Sequence, residues 1–146
     1  MDVTLNASTS LIASPMVIHD LLLDAINFLV QVGAVAGDGI DSFRDTAPDS
    51  PDDIIIIYEY AGEPITLHGD IVHRSLQCVA RSRSAGRAKV KATQLCNLLS
   101  PPGRFMQLTP TRWCQLYPRQ TPFRIKIDAN GRHYYGFNLG VTTTRD

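Results

Sequence analysis

Apolar positions recur along this chain with two different periods, and the switches between them mark out the elements. Ile18, Leu21, Leu22, Ala25, Ile26, Leu29 and Val30 stand three and four residues apart, which places them on one face of a helix. Ser14-Pro15 offers an N-cap followed by proline at the first helical position, and Gly33 offers the stop. Ile54–Ile57 followed by Tyr58 and Tyr60 is strand chemistry, β-branched and aromatic. Its unbroken apolar run predicts a strand covered on both faces, one by helices and the other by a second chain. Leu76, Cys78 and Ala80 alternate with Gln77, Val79 and Arg81 in a half-buried strand over residues 75–83. Ser84 then caps a second helix with Ala85, Ala88, Ala92, Leu95 and Leu99 on one side, widened by Cys96 and Leu98 and stopped by Pro101-Pro102-Gly103.

TRWCQLYP, residues 111–118, predicts a further strand, and FRIKIDANGRHYYGFNLGVTTT predicts a hairpin. Asp128–Gly131 is its turn, with Asn130 and Gly131 in left-handed positions, and Tyr135, Phe137, Leu139 and Val141 alternate along the return strand. Read together as the order α-β-β-α-β-β, these segments predict an α+β two-layer sandwich: a four-stranded, mostly antiparallel sheet with two helices on one face. The 146 residues suit a single domain spanning 1–146, with a flexible arm at 1–14 and a long loop at 33–53. That loop reads as a linker or as a partner contact, and Ile40 and Phe43 favour contact.

Charge changes the picture more than composition does. Net charge is zero, but residues 1–73 carry twelve acids against Arg44 alone, while residues 74–146 carry thirteen Lys and Arg against Asp128 and Asp146. Arg outnumbers Lys eleven to three, which suits bidentate pairing at interfaces. Compensation within the chain is the simpler reading. The sharper one sets Asp52, Asp53, Glu59 and Glu63 of one copy against Arg81, Arg83 and Arg87 of the next.

Candidate chemistry is sparse. Cys78, Cys96 and Cys114 are odd in number and lack a C-x-x-C spacing, so neither a disulfide framework nor a zinc site is expected. His68 and His73 read as solvated, and no phosphate loop, dinucleotide fingerprint or nucleophile elbow occurs. The chain is expected not to be an enzyme, to need no cofactor or metal and to have no membrane span, because His19, Asp20, Asp24 and Asn27 interrupt its longest apolar region. The Met1–Ser10 stretch lacks the basic start of a signal peptide.

The DDIIIIYEYAGEP turn, the strand-to-helix passage SLQCVARSRSAGRAKVKATQLCNLL and the closing hairpin TPFRIKIDANGRHYYGFNLGVTT together resemble the minor capsid or tail-terminator proteins of tailed bacteriophages over residues 15–143. The resemblance implies a structural virion protein at the tail–head interface, assembled in the host cytoplasm. It implies a six-membered ring on the head-proximal end of the tail tube that binds the major tail tube protein, ends polymerisation and docks the head-completion or stopper protein. DNA would pass through the lumen without specific binding. A head-side neck protein is the neighbouring alternative. A small nucleic-acid-binding adaptor is the distant one, disfavoured by zero net charge and by the lack of stacking aromatics near the Arg cluster.

Overall fold

The structure is a computed structural model that describes residues 20–64 and 70–144. It contains α1 (Leu21–Gln31), β1 (Ser42–Arg44), β2 (Ile54–Tyr60), β3 (Ile71–Ser82), α2 (Ala85–Leu98), a 3₁₀ turn (Pro102–Arg104), β4 (Phe105–Thr109), β5 (Arg112–Pro118), β6 (Phe123–Ile127) and β7 (His133–Thr144). The seven strands form one curled, mixed sheet in the order β1-β2-β3-β7-β5-β4, and β6 also pairs with β7. Twelve residues of β3 run antiparallel along β7, from Ile71 opposite Thr144 to Ser82 opposite His133. The other edge of β7 is shared: β5 takes its C-terminal half and β6 its N-terminal half.

The four-stranded sheet expected from the sequence is therefore wrong. The closing hairpin contributes two strands, β1 lies inside the 33–53 segment and pairs parallel with β2, and β4 follows directly on the Pro-Pro-Gly stop. A three-residue strand is too short to show a period. In β4 a register shift between Gln107 and Thr109 breaks the alternation by which such a strand is recognised.

Local signals fix the helices. Asp20 has extended backbone and its carboxylate accepts from the N–H groups of Leu22 and Leu23, so it caps α1. The helix expected from Ser14 thus starts at Leu21 within the described residues, and Ser14-Pro15 lies outside them. At the other end Gly33 adopts φ 79°, Ala34 N–H donates to Leu29 O and Gly33 N–H to Val30 O, the paired bonds of a Schellman stop. Ser84 caps α2 through Arg87 N–H at 3.2 Å. In the hairpin turn only Gly131 is left-handed, at φ 75°; Asn130 is not. Asp128 Oδ1 instead accepts from the N–H groups of Asn130 and Arg132.

The two faces of the sheet are closed differently. Ile55, Ile57, Leu76, Cys78, Phe137, Leu139, Val141, Cys114 and Leu116 meet Leu21, Ile26 and Leu29 of α1 and Ala92, Leu95 and Leu99 around α2 in the main core. Ile54 and Ile56 point the other way and join Val79 and Tyr134, with Phe43, Tyr58 and Ile125 packed against them. Burying each isoleucine contributes about 2 kcal/mol. The apolar run of β2 is thus satisfied on both faces by the chain itself, with no second chain needed. Gly136 makes this closure possible: a Cβ there would stand 2.4 Å from Cys78 O and 3.1 Å from Ile125 Cδ1. Towards the other end the second face opens. Tyr60, Gln77 and Asn138 form a hydrogen-bonded row there, and the Tyr117 ring lies over Gly140.

Candidate interaction surfaces

Five of the residues nominated from charge, Asp52, Asp53, Arg81, Arg83 and Arg87, form a cluster inside one subunit. Arg83 pairs with Asp52 at 2.7 Å and donates to Asn130 O, and Arg87 pairs with Asp53. Arg81 is buried, with 2% exposure; it donates to Pro51 O at 2.7 Å and Asp52 O at 3.1 Å, and its guanidinium lies 5.9 Å from the Tyr134 ring centre. Arg132 grips the same segment through Asp49 and is held in turn by Asp128 at 2.8 Å. Glu59 forms a bidentate pair with Arg74, whereas Glu63 is exposed and donates its own N–H to His73 O. As interface residues the first group would have to exchange partners.

These pairs explain why the segment before β2 holds its course. The strand pairing of β1 ends at Asp45, which adopts φ 58°; its N–H donates to Ile57 O and its carboxylate accepts from Glu59 N–H. Asp41 caps the N–H groups of Ala36 and Gly37, and Arg44 bridges Asp20 and Asp38. Of the two apolar residues nominated in this segment, Ile40 is 61% exposed and Phe43 is half-buried against the second cluster. The exposure of Ile40 on this margin leaves it free for contact.

Three features escaped the sequence reading, and each had a signal. Arg112 shares the register of Cys114 and Leu116, and it is buried, pairing with Asp24 of α1 at 2.6 Å and donating to Thr143 Oγ1. Trp113 falls on the opposite register and is 62% exposed, beside exposed Phe105 and Ile71 around a hollow of about 290 Å³. Arg104 and Arg119 each stand 5.8 Å from the Tyr117 ring centre next to that hollow. Among the described residues neither has an ion-pair partner, and the same holds for Arg124 and Lys126 on β6.

Among the described residues no catalytic constellation stands out. Burial pushes the Cys78 thiol up to about 12 and raises those of Cys114 and Cys96, the reverse of what a nucleophilic cysteine needs. His73 Nδ1 lies 2.8 Å from Thr142 Oγ1, and His68 is outside the described residues. Among the described residues no three His, Cys, Asp or Glu are grouped to hold a metal, and no helix is long and apolar enough to cross a membrane.

In a comparison with protein families, residues 28–145 match the family model of the bacteriophage tail terminator protein. The chain belongs to the bacteriophage tail terminator family. A search of curated proteins finds no match. As a member of that family the chain is a structural protein of the phage virion, part of the tail, and its family role is assembly with other phage tail and head proteins.

Proposed function

We propose that this terminator assembles as a six-membered ring on the head-proximal end of the tail tube, ends tube polymerisation there and presents a docking surface to the head-completion or stopper protein. The family match over residues 28–145 carries this reading. The geometry supports it: one face of the sheet is sealed by helices, while the other opens into an exposed polar and aromatic surface that includes Tyr60, Trp113 and Phe105. The work is done by interfaces. One side of the ring has to resemble a tube subunit closely enough to bind the last tube ring, and the other has to differ enough to refuse another. DNA passes through the lumen without sequence-specific contact, and assembly takes place in the host cytoplasm before the virion is complete.

The test uses tails made without this chain. Tubes lacking it should run to uncontrolled lengths. Adding the purified protein should cap one end, with a ring visible by negative-stain imaging, and should restore joining to heads. A protein found only on isolated heads, with tube length unaffected, would make it a neck protein on the head side.

A further inference from the structure

We infer that neighbouring copies join margin to margin along the sheet, with Ile40 and its surrounding acids on one copy seated against the Phe105–Trp113–Ile71 hollow of the next. This rests on the ring reading and names the contact that builds it. The strand order puts β1, with the loop that carries Ile40, at one margin of the sheet and β4 at the other, five strand spacings away. Ile40 also lies near the Ile55–Ala80 end of β2 and β3, whereas the hollow spans β3 to β4 at the Ile71–Thr144 end, so the two places are separate within one copy.

The two margins are complementary in two independent ways. Each has an apolar centre: Ile40 at 61% exposure on one, Phe105 at 64% and Trp113 at 62% on the other. Each also has a rim of one sign. Beside Ile40 in the chain stand Asp38 and Asp41: Asp41 holds the Ala36 and Gly37 N–H groups, and Arg44 is shared between Asp38 and Asp20, so the balance there is acidic. On the side of the hollow stand Arg104, next to Phe105 in the chain, and Arg119, both at the Tyr117 ring. An apolar anchor in a pocket with Trp and Arg about it is the composition of an interface centre, and opposite rims steer and register the two parts.

The same margins set the symmetry. A two-fold contact centred on either margin would set like charges together, and a reciprocal two-fold contact would use up both margins of each copy in one interface and stop at a dimer. A head-to-tail contact leaves one margin of each copy open for the next and closes into a ring when its rotation suits. Arg83 and Arg87 take no part, because they follow β3 at its Ser82 end, whereas the hollow lies at its Ile71 end.

The experiment places Ile40→Cys and Thr144→Cys in one chain, in a Cys96→Ser background; Thr144 is exposed and lines the hollow without being one of its apolar walls. Assembled on tail tubes and mildly oxidised, this chain should give a ladder of disulfide-linked oligomers on a non-reducing gel, rising to the size of the ring. Each chain carrying only one of the two introduced cysteines, with Cys78 and Cys114 buried, should remain monomeric. In a second arm, Arg104→Glu with Arg119→Glu should lower the fraction of capped tubes at least tenfold while leaving the thermal transition in place. Rings seen by imaging without a ladder, or reversals without effect, overturn this contact and leave the ring reading standing. Absence of any ring on tubes overturns the ring reading and the contact with it. Dimers from a single-cysteine chain show a two-fold interface and overturn the head-to-tail arrangement.

Discussion

Two groups of arginines in this molecule have opposite surroundings. At the junction of β3 and α2, Arg81, Arg83 and Arg87, joined by Arg132, are turned inwards on residues 49–53 and bound there by carboxylates and backbone carbonyls. Beside the far margin strand, Arg104 and Arg119 are exposed and find no carboxylate among the described residues. The first group fixes a long irregular segment that has little apolar surface of its own. The second is left for something outside the subunit. The difference lies in what each folded neighbourhood already supplies: a guanidinium beside an acid at 2.7 Å is occupied, while one stacked on a tyrosine ring still has most of its donors free.

The strongest way to break this comparison is to remove what the first group holds. Replacing residues 45–53 with a Gly/Ser linker removes the Asp49, Asp52 and Asp53 carboxylates that pin the segment, so the backbone carbonyls at 51 and 52 are no longer held against the buried Arg81 and its charge is left desolvated. Closure entropy is a small part of the change, since doubling a loop costs only about 0.6 kcal/mol. The uncompensated cation dominates, and stability should fall by about 3–5 kcal/mol in a denaturant titration. A loss below about 1 kcal/mol would mean that the segment is a passive linker. Arg81→Ala is the milder cut, because it takes the charge away and leaves two carbonyls for water to reach; about 2 kcal/mol is expected.

How much of this could be read from the sequence depends on range. The periods of α1, β2, β3, β5 and β7 are written in consecutive residues, and so are Ser84 as a cap and Gly33 as a stop. The pairing of β1 with β2 is not, because a parallel ladder of three residues carries no local signature. The lopsided charge was visible, but its assignment was not: Arg83 and Asp52 are 31 residues apart, and only the fold shows that they meet. Trp113 was legible in principle, being the large aromatic on the polar register of an otherwise well-patterned strand.

Acid sharpens the comparison further. Burial opposes ionisation of Asp128, but hydrogen bonds from the Arg132 backbone and guanidinium, the Asn130 N–H and the Tyr134 hydroxyl outweigh it and hold the carboxyl at about 2. An unfolded aspartate titrates near about 4. The folded value is the lower one, so this contribution is complete above about pH 4 and is lost as pH falls through about 2. Asp128→Asn should flatten the fall in melting temperature between about pH 4 and about pH 2. If the wild-type and Asp128→Asn chains keep parallel profiles, Asp128 does not hold Arg132 against the 49–53 segment in the way described.

The smallest expected effects belong to Arg83 and Arg87, and they test whether the inward group also serves assembly. Both side chains are largely exposed, at 61% and 72%, and their partners Asp52 and Asp53 are about half so. Exposed pairs contribute about 0–1 kcal/mol, because water screens the attraction and ordering two long side chains offsets much of it. Arg83→Ala and Arg87→Ala should therefore each lower stability by less than about 1 kcal/mol. Tube capping should be unchanged, since the inferred contact uses the other margin. Charge reversal is the sharper form. Arg83→Glu sets two carboxylates together at Asp52, yet it should still leave capping within about twofold of wild type, and the reversal of Asp52→Arg in the same chain should recover the small loss of stability. If instead Arg83→Glu abolishes capping at unchanged melting temperature, the β3–α2 junction faces a neighbouring copy, and its arginines exchange Asp52 and Asp53 for that copy's acids when the ring closes.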